Sequence, residues 1–212
     1  MKKDQNTIVI ESIEPKRVTV TIEGTGTLCL NKMNARNMRT LMADDRKKVS
    51  EAPNHWEDVI TAIHWRDGLP TKDTYKDCDE KMMQYLLENN APCITAFGLK
   101  KSFEQTVVRQ EVDKYATKFQ SAMNIICDNG LIPVEFSDWS LDERLMSPKR
   151  GAPLPVKLNH FSGWRAKFDI EYMENVFSLS AIVNIINLAG FSLGIGSGRT
   201  SGFGRYKVVN VE

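Results

Sequence analysis

The sequence contains little that would support metal binding or disulfide bonding. Its four cysteines are far apart and form no CxxC pair, which argues against a zinc site and against a disulfide framework. No HxH, HExxH, GKS or GKT motif occurs in the 212 residues. We therefore predict no metal ion and no cofactor, and we expect the thiols to be reduced and partly buried.

The sequence also lacks a long apolar run. No stretch approaches the roughly 20 residues that a membrane span needs. The start, MKKDQNTIVIES, has two lysines but no apolar stretch of roughly 7 to 15 residues after them, as a secretory signal would have. We therefore expect a cytoplasmic protein with no membrane partner. Hydrophobic residues make up 42% of the chain, which is enough for a globular domain to bury a core.

The net charge of +1 conceals an uneven distribution of charged residues. Residues 51–90 contain nine acids against four bases, whereas residues 32–48 contain six bases against two acids. Residues 191–207 contain three bases and no acid. Basic zones near both ends of the chain are compatible with a nucleic-acid-binding face, although solvated surface charge is the commoner reason for such zones.

Two strands and one helix stand out in the pattern of apolar residues. Val18 to Ile22 alternates apolar residues with threonine, and Trp164 to Tyr172 alternates apolar with charged residues, as half-buried strands do. A helix that begins near Thr95 would place five apolar residues on one broad face. They are Phe97, Leu99, Phe103, Val107 and Val108.

The order of the elements predicts an α+β fold of the ferredoxin-like (RRM-like) class. The other predicted elements are a strand from Thr7 to Ile13, a helix from Asp113 to Cys127 capped by Asn129 and Gly130, a strand from Leu131 to Phe136, a loop at 147–155, a helix after Ser178 or Ser180 that Gly190 stops, and a last strand from Arg205 to Val211. With residues 31–92 set aside, this is the split βαβ order. We therefore predict a single domain, residues 1–212, in which a βαββαβ core carries the partly helical insertion 31–92 after the N-terminal strands.

Residues 194–204, GIGSGRTSGFG, form the most informative motif in the sequence. Two Gly-hydrophobic-Gly triplets flank a gap that includes Arg199. Glycine admits positive φ and has no Cβ, so backbone amides in such a loop can converge on an anion. Arg199 can bind a phosphate through two hydrogen bonds, and the hydroxyls of Thr200 and Ser201 can donate others. The motif predicts a loop that holds a phosphate backbone; close packing of a helix on the last strand is the structural alternative.

This pattern, G-h-G-x5-G-h-G with a basic residue in the gap before the last strand, resembles the signature of the RAMP superfamily. These are the ferredoxin-like RNA-binding proteins of CRISPR effector and guide-processing machinery. The matching residues are Gly194, Ile195, Gly196, Arg199, Gly202, Phe203 and Gly204. The segment 96–102, AFGLKKS, resembles the family more loosely, and the stretch LAGFSLGIGSGRTSGFGRY is similar to the end of a set of tailed-phage proteins. The resemblance implies that RNA binds on the sheet or along the glycine loop, with assembly along a strand.

We therefore expect a non-enzymatic protein that binds single-stranded RNA or DNA, with RNA preferred, and that assembles on its ligand as a homo-oligomer. If the chain is phage-encoded, it acts in the host cytoplasm. The alternation around Trp164 places this side chain in the core and places Arg165 and Lys167 on the opposite face. The residues predicted to bind nucleic acid are Gly194, Gly196, Arg199, Thr200, Ser201, Gly202, Gly204, Arg205, Lys207, Arg165, Lys167, Lys100 and Lys101.

Two other functions remain open on the sequence alone. A RAMP-type endoribonuclease could use His64 as a metal-free general base, or Asp44 or Asp45 in a loop. A core histidine and a solvated acidic pair are the structural alternatives for these positions. The other function is a protein-interaction module, such as a phage decoy that binds host defence proteins, which would explain the acidic residues 51–90 more easily than nucleic-acid binding does.

Overall fold

The computed structural model describes residues 14–43, 54–70, 78–146 and 154–212. The strands in these ranges are β1 (Lys16–Gly24), β2 (Leu28–Leu30), β3 (His64–Trp65), β4 (Pro92–Thr95), β5 (Met123–Ile126), β6 (Leu131–Glu135), β7 (Asp138–Met146), β8 (Leu154–Ser162), β9 (Arg165–Tyr172) and β10 (Tyr206–Val211). The α-helices are α1 (Ala35–Met42), α2 (His55–Ile60), α3 (Glu80–Asn89), α4 (Ala96–Arg109), α5 (Thr117–Ala122) and α6 (Leu179–Ser192). None of these helices combines the length and apolarity needed to cross a lipid bilayer.

The main sheet contains the predicted core. Its central strands lie in the order β10, β1, β9 and β6, and each neighbouring pair is antiparallel. Strand β5 pairs with the other end of β9, and β4 and β3 extend the sheet beyond β6. The fourth, first, third and second core strands are therefore neighbours in that order, with α4 and α6 as the two connecting helices, which is the split βαβ arrangement. The predicted α+β, ferredoxin-like fold is confirmed.

The core forms because β9 presents its apolar residues to one side only. Ala166, Phe168, Ile170 and Tyr172 are buried, whereas the alternate positions are charged. Two helices cover this apolar face, and both begin with side-chain caps: Thr95 Oγ1 accepts a hydrogen bond from the amide of Gly98 in α4, and Ser178 caps α6. The helices contribute the buried residues Leu99, Phe103, Val107, Ile182, Ile185 and Ile186. Trp164 is fully buried with them, as predicted.

A second, three-stranded sheet in the described residues lies beside the core. It contains β2, β8 and β7, and the long β7–β8 hairpin lies between β6 and β9 in the chain. The described parts of 31–92 pack onto both sheets: Ile60, Trp65 and Met83 are buried in the same hydrophobic core as the main sheet. Asn159 joins the second sheet to α2, because its Nδ2 donates a hydrogen bond to the carbonyl of Val59 (3.0 Å).

The predicted helix from Asp113 to Cys127 is wrong. The helical part is only α5, and the next four residues form β5, where Met123 pairs with Tyr172 and Ile125 with Ile170. Pairing with the central strand of the sheet overrides the helix-like spacing of these apolar residues. Asn129 and Gly130, with φ of 53° and 69°, form the tight turn between β5 and β6 instead of a helix cap.

The prediction that Gly190 stops α6 is wrong, because the helix continues to Ser192. Gly190 lies inside the helix, where a Cβ would come within 2.2 Å of the carbonyl oxygen of Tyr206, so glycine is needed for close packing of α6 on β10. The predicted loop at 147–155 is partly wrong, because β8 already begins at Leu154; its first part lies outside the described residues. The predicted strand from Thr7 to Ile13 also lies outside them.

Candidate nucleic-acid interface

The two ends of the glycine-rich loop are fastened to the fold. The loop, residues 194–204, connects α6 to β10. The amide of Ile195 donates to the carbonyl of Gly204 (3.0 Å), and the amide of Gly204 donates to the carbonyl of Thr27 (2.8 Å). Gly194 and Gly204 both have φ of +70°, and a Cβ on either would meet backbone atoms. These glycines therefore serve the close packing of the loop, since an L side chain would be strained there.

The middle of the loop is exposed and retains free donors. Gly196, Gly198, Thr200, Ser201 and Gly202 are exposed to solvent. Among the described residues, no acceptor receives a hydrogen bond from the amides of Gly198, Arg199 or Thr200. The loop is therefore divided into a structural base and an exposed tip with unused amides, and an anion could reach only the tip.

The tip borders a cleft of about 320 Å³, which we call the loop–helix cleft. Its other walls are the first turn of α4 and the segments around β2, β3 and β4. The polar, charged and exposed aromatic side chains that line it are Asn31, Lys32, His64, Thr95, Phe97, Lys101, Ser197 and Arg199. The floor is apolar and contains Leu30, Ile94, Leu99 and Ile195. The cleft thus brings together residues that are up to 169 positions apart in the sequence, from Leu30 to Arg199.

The charge of the loop–helix cleft is positive. No acidic side chain lines it among the described residues, and Arg199 has no carboxylate partner there. Lys101 pairs with Glu104, one turn further along α4 (2.9 Å). The first turn of α4, a helix of 14 residues, opens on the cleft at Phe97 and Gly98, so the positive end of the helix dipole adds to the field of the cations.

Two further groups in the cleft have shifted pKa values. Lys32 is exposed at the cleft rim, and its partial desolvation by the cleft walls lowers its pKa. Burial, and to a smaller extent the positive charge of Lys32, lowers the pKa of His64 below its ordinary 6.5. The imidazole of His64 is therefore neutral at pH 7 and able to accept a proton.

Phe97 differs from its predicted position. The helical pattern assigned it to a buried face of α4, but 79% of this side chain is exposed, and Val108 is 45% exposed. Phe97 lies in the first turn of α4, where the chain has just left β4 and none of the described elements covers its ring. An aromatic ring therefore lies in the open part of the cleft wall, one helical turn from Lys101.

Other predicted ligands lie near the cleft but are engaged in the fold. The ammonium of Lys100 donates to Asn124 Oδ1 (2.7 Å) and to the carbonyl of Gln120 (3.1 Å). The guanidinium of Arg205 donates to the carbonyls of Phe191 (3.0 Å) and Arg199 (3.4 Å). Arg205 therefore links the loop to the end of α6.

The remaining predicted ligands are on the opposite face of the main sheet. Arg165 pairs with Glu23 (2.5 Å), Lys207 approaches the same carboxylate (3.5 Å), and Lys167 pairs with Glu212 (3.3 Å). This outer face has matched charges. Its positions on β1 and β9 contain no aromatic side chain: Arg17, Thr19, Thr21, Glu23, Arg165, Lys167, Asp169 and Glu171. The structure therefore separates the predicted site into a cleft group and an ion-paired sheet group.

Of the residues proposed for catalysis, the structure describes only His64, which lies in the cleft. Asp44 and Asp45 lie outside the described residues. Within the described ranges, no group of three or more His, Cys, Asp or Glu side chains is placed to hold a metal ion.

Lys32 and Phe97 line the cleft but are not among the residues that the sequence predicted to bind nucleic acid. Lys32 lies two residues after the end of β2, but it had been assigned to the insertion without a role. Phe97 carried one available signal: with Lys101 it forms an i, i+4 pair of an aromatic and a cation at a helix start that contains Gly98.

Comparison with known proteins shows similarity at the level of the fold. No family model matches the sequence, and no curated protein matches it. A chain in the cryo-EM structure of the Type III-B Cmr-beta bound to cognate target RNA superposes with a TM-score of 0.50 at 13% identity, over 94% of this chain and 60% of that chain. The crystal structure of Cmr6 from Pyrococcus furiosus gives a TM-score of 0.39 at 9% identity, over 93% and 100% of the two chains. This protein thus spans about 60% of the length of the Cmr-beta chain that it matches.

Proposed function

We propose that this protein binds single-stranded nucleic acid, RNA in preference to DNA, in the loop–helix cleft. The observation that carries the proposal is the convergence of Lys32, Lys101 and Arg199 on a cleft that no described acidic side chain lines. Phosphate groups are the ligands that such a set recognises, because they are anionic and offer several acceptor oxygens.

Different parts of the cleft would contact different phosphates of the nucleic-acid backbone. Arg199 would bind one phosphate through two hydrogen bonds, and the free amides at the loop tip would bind the same or the next phosphate. Lys101 and Lys32 would act as point charges along the path of the strand. The resemblance of the loop to RAMP proteins and the target RNA in the Cmr-beta structure support RNA as the ligand.

The biological setting is part of the same proposal. On the resemblance to RAMP and tailed-phage sequences, the protein would be phage-encoded, act in the host cytoplasm and assemble as a homo-oligomer along its RNA. Sequencing of RNA that copurifies with the protein tests this setting. Copurification of host proteins without RNA would instead support the decoy function.

The proposal is tested by fluorescence anisotropy with a labelled single-stranded RNA. Arg199→Ala removes a charged ligand, so we expect the affinity to fall about 10-fold or more. The dependence of log K on log salt should also lose about 0.7 in slope, the contribution of one phosphate contact on a single strand. Arg165→Ala is the matched control, because Arg165 is paired with Glu23 on the outer face. Equal affinity of Arg199→Ala and wild-type protein would refute the site.

A second function, metal-free RNA cleavage, is favoured by one observation. The imidazole of His64 lines the same cleft as Arg199, and its lowered pKa keeps it neutral and able to take a proton from a ribose 2′-hydroxyl. Incubation of end-labelled RNA with the protein in EDTA tests this function. Cleavage that His64→Ala abolishes supports it, and intact RNA with wild-type protein refutes it.

A further inference from the structure

Phe97 is an exposed aromatic ring in a cleft that is otherwise suited to phosphates. Its side chain is 79% exposed, which leaves a large apolar surface in contact with water. The ring lies with Lys101 and Arg199 around the same opening. An exposed aromatic ring beside cationic side chains is the arrangement that binds a base and its phosphate together.

The neighbourhood of Phe97 leaves room for a flat ligand. The next residue is Gly98, which presents no side chain to the cleft, and Lys101 follows one helical turn after Phe97 on the same side of α4. Arg199 approaches from the loop on the opposite wall. A base placed on the Phe97 ring would therefore have its phosphate within the region that the two cations border.

We propose that Phe97 stacks on one unpaired base of the bound strand, so that the cleft selects nucleotides whose bases are free of pairing. This inference rests on the proposed binding of nucleic acid in the loop–helix cleft and adds the class of nucleotide that it accepts. A duplex keeps its base faces stacked on one another, so it can offer only its phosphates to the cleft. An abasic nucleotide likewise offers the phosphate without a ring.

The chain provides a matched control for this contact. Phe191 is equally exposed (80%) but does not line the loop–helix cleft. Because both rings are on the surface, Phe97→Leu and Phe191→Leu should each leave the thermal stability unchanged within experimental error. Phe97→Trp keeps an aromatic face and adds an indole whose fluorescence a stacked base would quench.

The experiment measures the affinities of these variants for single-stranded RNA and for the same RNA with an abasic site moved along the strand. We expect Phe97→Leu to weaken binding about fivefold or more, Phe191→Leu to have no effect, and Phe97→Trp to retain affinity with quenching of its added fluorescence. When the abasic site replaces the nucleotide whose base would stack on Phe97, wild-type protein and Phe97→Leu should bind the RNA with equal affinity.

Two results would overturn the inference, and they differ in what else they affect. If binding depends on Arg199 but Phe97→Leu binds as tightly as Phe191→Leu, stacking is refuted and the phosphate site stands. If no RNA binds in an Arg199-dependent manner, the proposed function fails, and the stacking contact fails with it.

Discussion

Ile195 and Gly204 are locked together through their backbones at the base of the glycine-rich loop. The amide of Ile195 donates to the carbonyl of Gly204 (3.0 Å), and the carbonyl oxygen of Ile195 lies only 1.8 Å from the place that a Cβ on Gly204 would occupy. The two chain segments approach so closely that residue 204 has to be glycine. This contact holds the loop in the shape that exposes its tip.

Gly204→Ala should therefore unfold more easily than the wild-type protein. The new methyl group would meet the Ile195 backbone, and alanine would be strained at a φ of +70°. We expect a loss of roughly 2 to 5 kcal/mol in the free energy of unfolding, measured by urea denaturation. The matched variant is Gly202→Ala, where φ is +88° but no atom lies within 4 Å of the added Cβ. Its loss should be about 1 kcal/mol, and equal losses for the two variants would contradict the locked base.

Lys32→Met should raise the pKa of His64. The positive charge of Lys32 is the smaller of the two causes that lower this pKa, so its removal moves the value back towards 6.5 while burial still holds it below. Titration of the histidine ring protons by NMR measures the shift. Lys101→Met serves as the control, since His64 has no resolved interaction with Lys101. An unchanged pKa in Lys32→Met would show that the two side chains do not share the cleft.

The free energy of unfolding should decrease as the pH falls below about 6.5. Burial lowers the pKa values of His64 and His160 in the folded protein, so the unfolded chain binds protons at a higher pH than the folded chain does. The contribution of these histidines to stability is therefore complete when the pH is above their pKa in the unfolded chain. It is lost as the pH falls towards their lower pKa values in the folded protein. Asp142 and Arg144 act on His160 in opposite directions.

Urea denaturation at pH 7.5, 6.5 and 5.5, which are about one pH unit apart, checks this expectation. Carboxylates with lowered pKa values, such as Glu23 and Asp169, titrate below this window. His64→Gln and His160→Gln should each flatten the decrease. A stability that rises on acidification over this window would contradict the direction of both shifts.

Asn159→Ala should loosen the attachment of the insertion to the second sheet. The buried amide of Asn159 donates to the carbonyl of Val59 (3.0 Å) and accepts from the indole nitrogen of Trp139 (3.1 Å). Alanine leaves both partners without a hydrogen bond, so we expect a loss of about 2 to 4 kcal/mol in the free energy of unfolding. The exposed Asn210 provides the control: Asn210→Ala should cost less than about 0.5 kcal/mol. If Asn159→Ala also costs less than about 0.5 kcal/mol, α2 is not docked on β8 through this side chain.

The core was predictable from the sequence because apolar and charged residues alternate strictly along its central strand, β9. The alternation along Trp164 to Tyr172 can only be a strand with one buried face, and the glycine motif marks the entry to the last strand. The four residues of β5 are too few to show a period, so their pairing with β9 could not be read locally. The β7–β8 hairpin was missed for a related reason: its partner, β2, is more than 100 residues away in the chain.

The candidate site was predicted only in the part that is local in sequence. Arg199 and the loop tip were found because the motif is contiguous. Lys32 and Phe97 were not, because their place in the cleft depends on β2 and α4 meeting the loop in space. Arg165 and Lys167 stand on the predicted face of β9, but the carboxylates that neutralise them come from β1 and the C-terminal residue.

The most direct test of the central claim is photochemical crosslinking of the protein to single-stranded RNA that contains 4-thiouridine, followed by mass spectrometry of the crosslinked peptides. Binding in the loop–helix cleft predicts adducts in the segments 96–101 and 194–204, with Phe97 as an attachment point. Adducts confined to the outer face of the sheet, at residues 165–171, would contradict it.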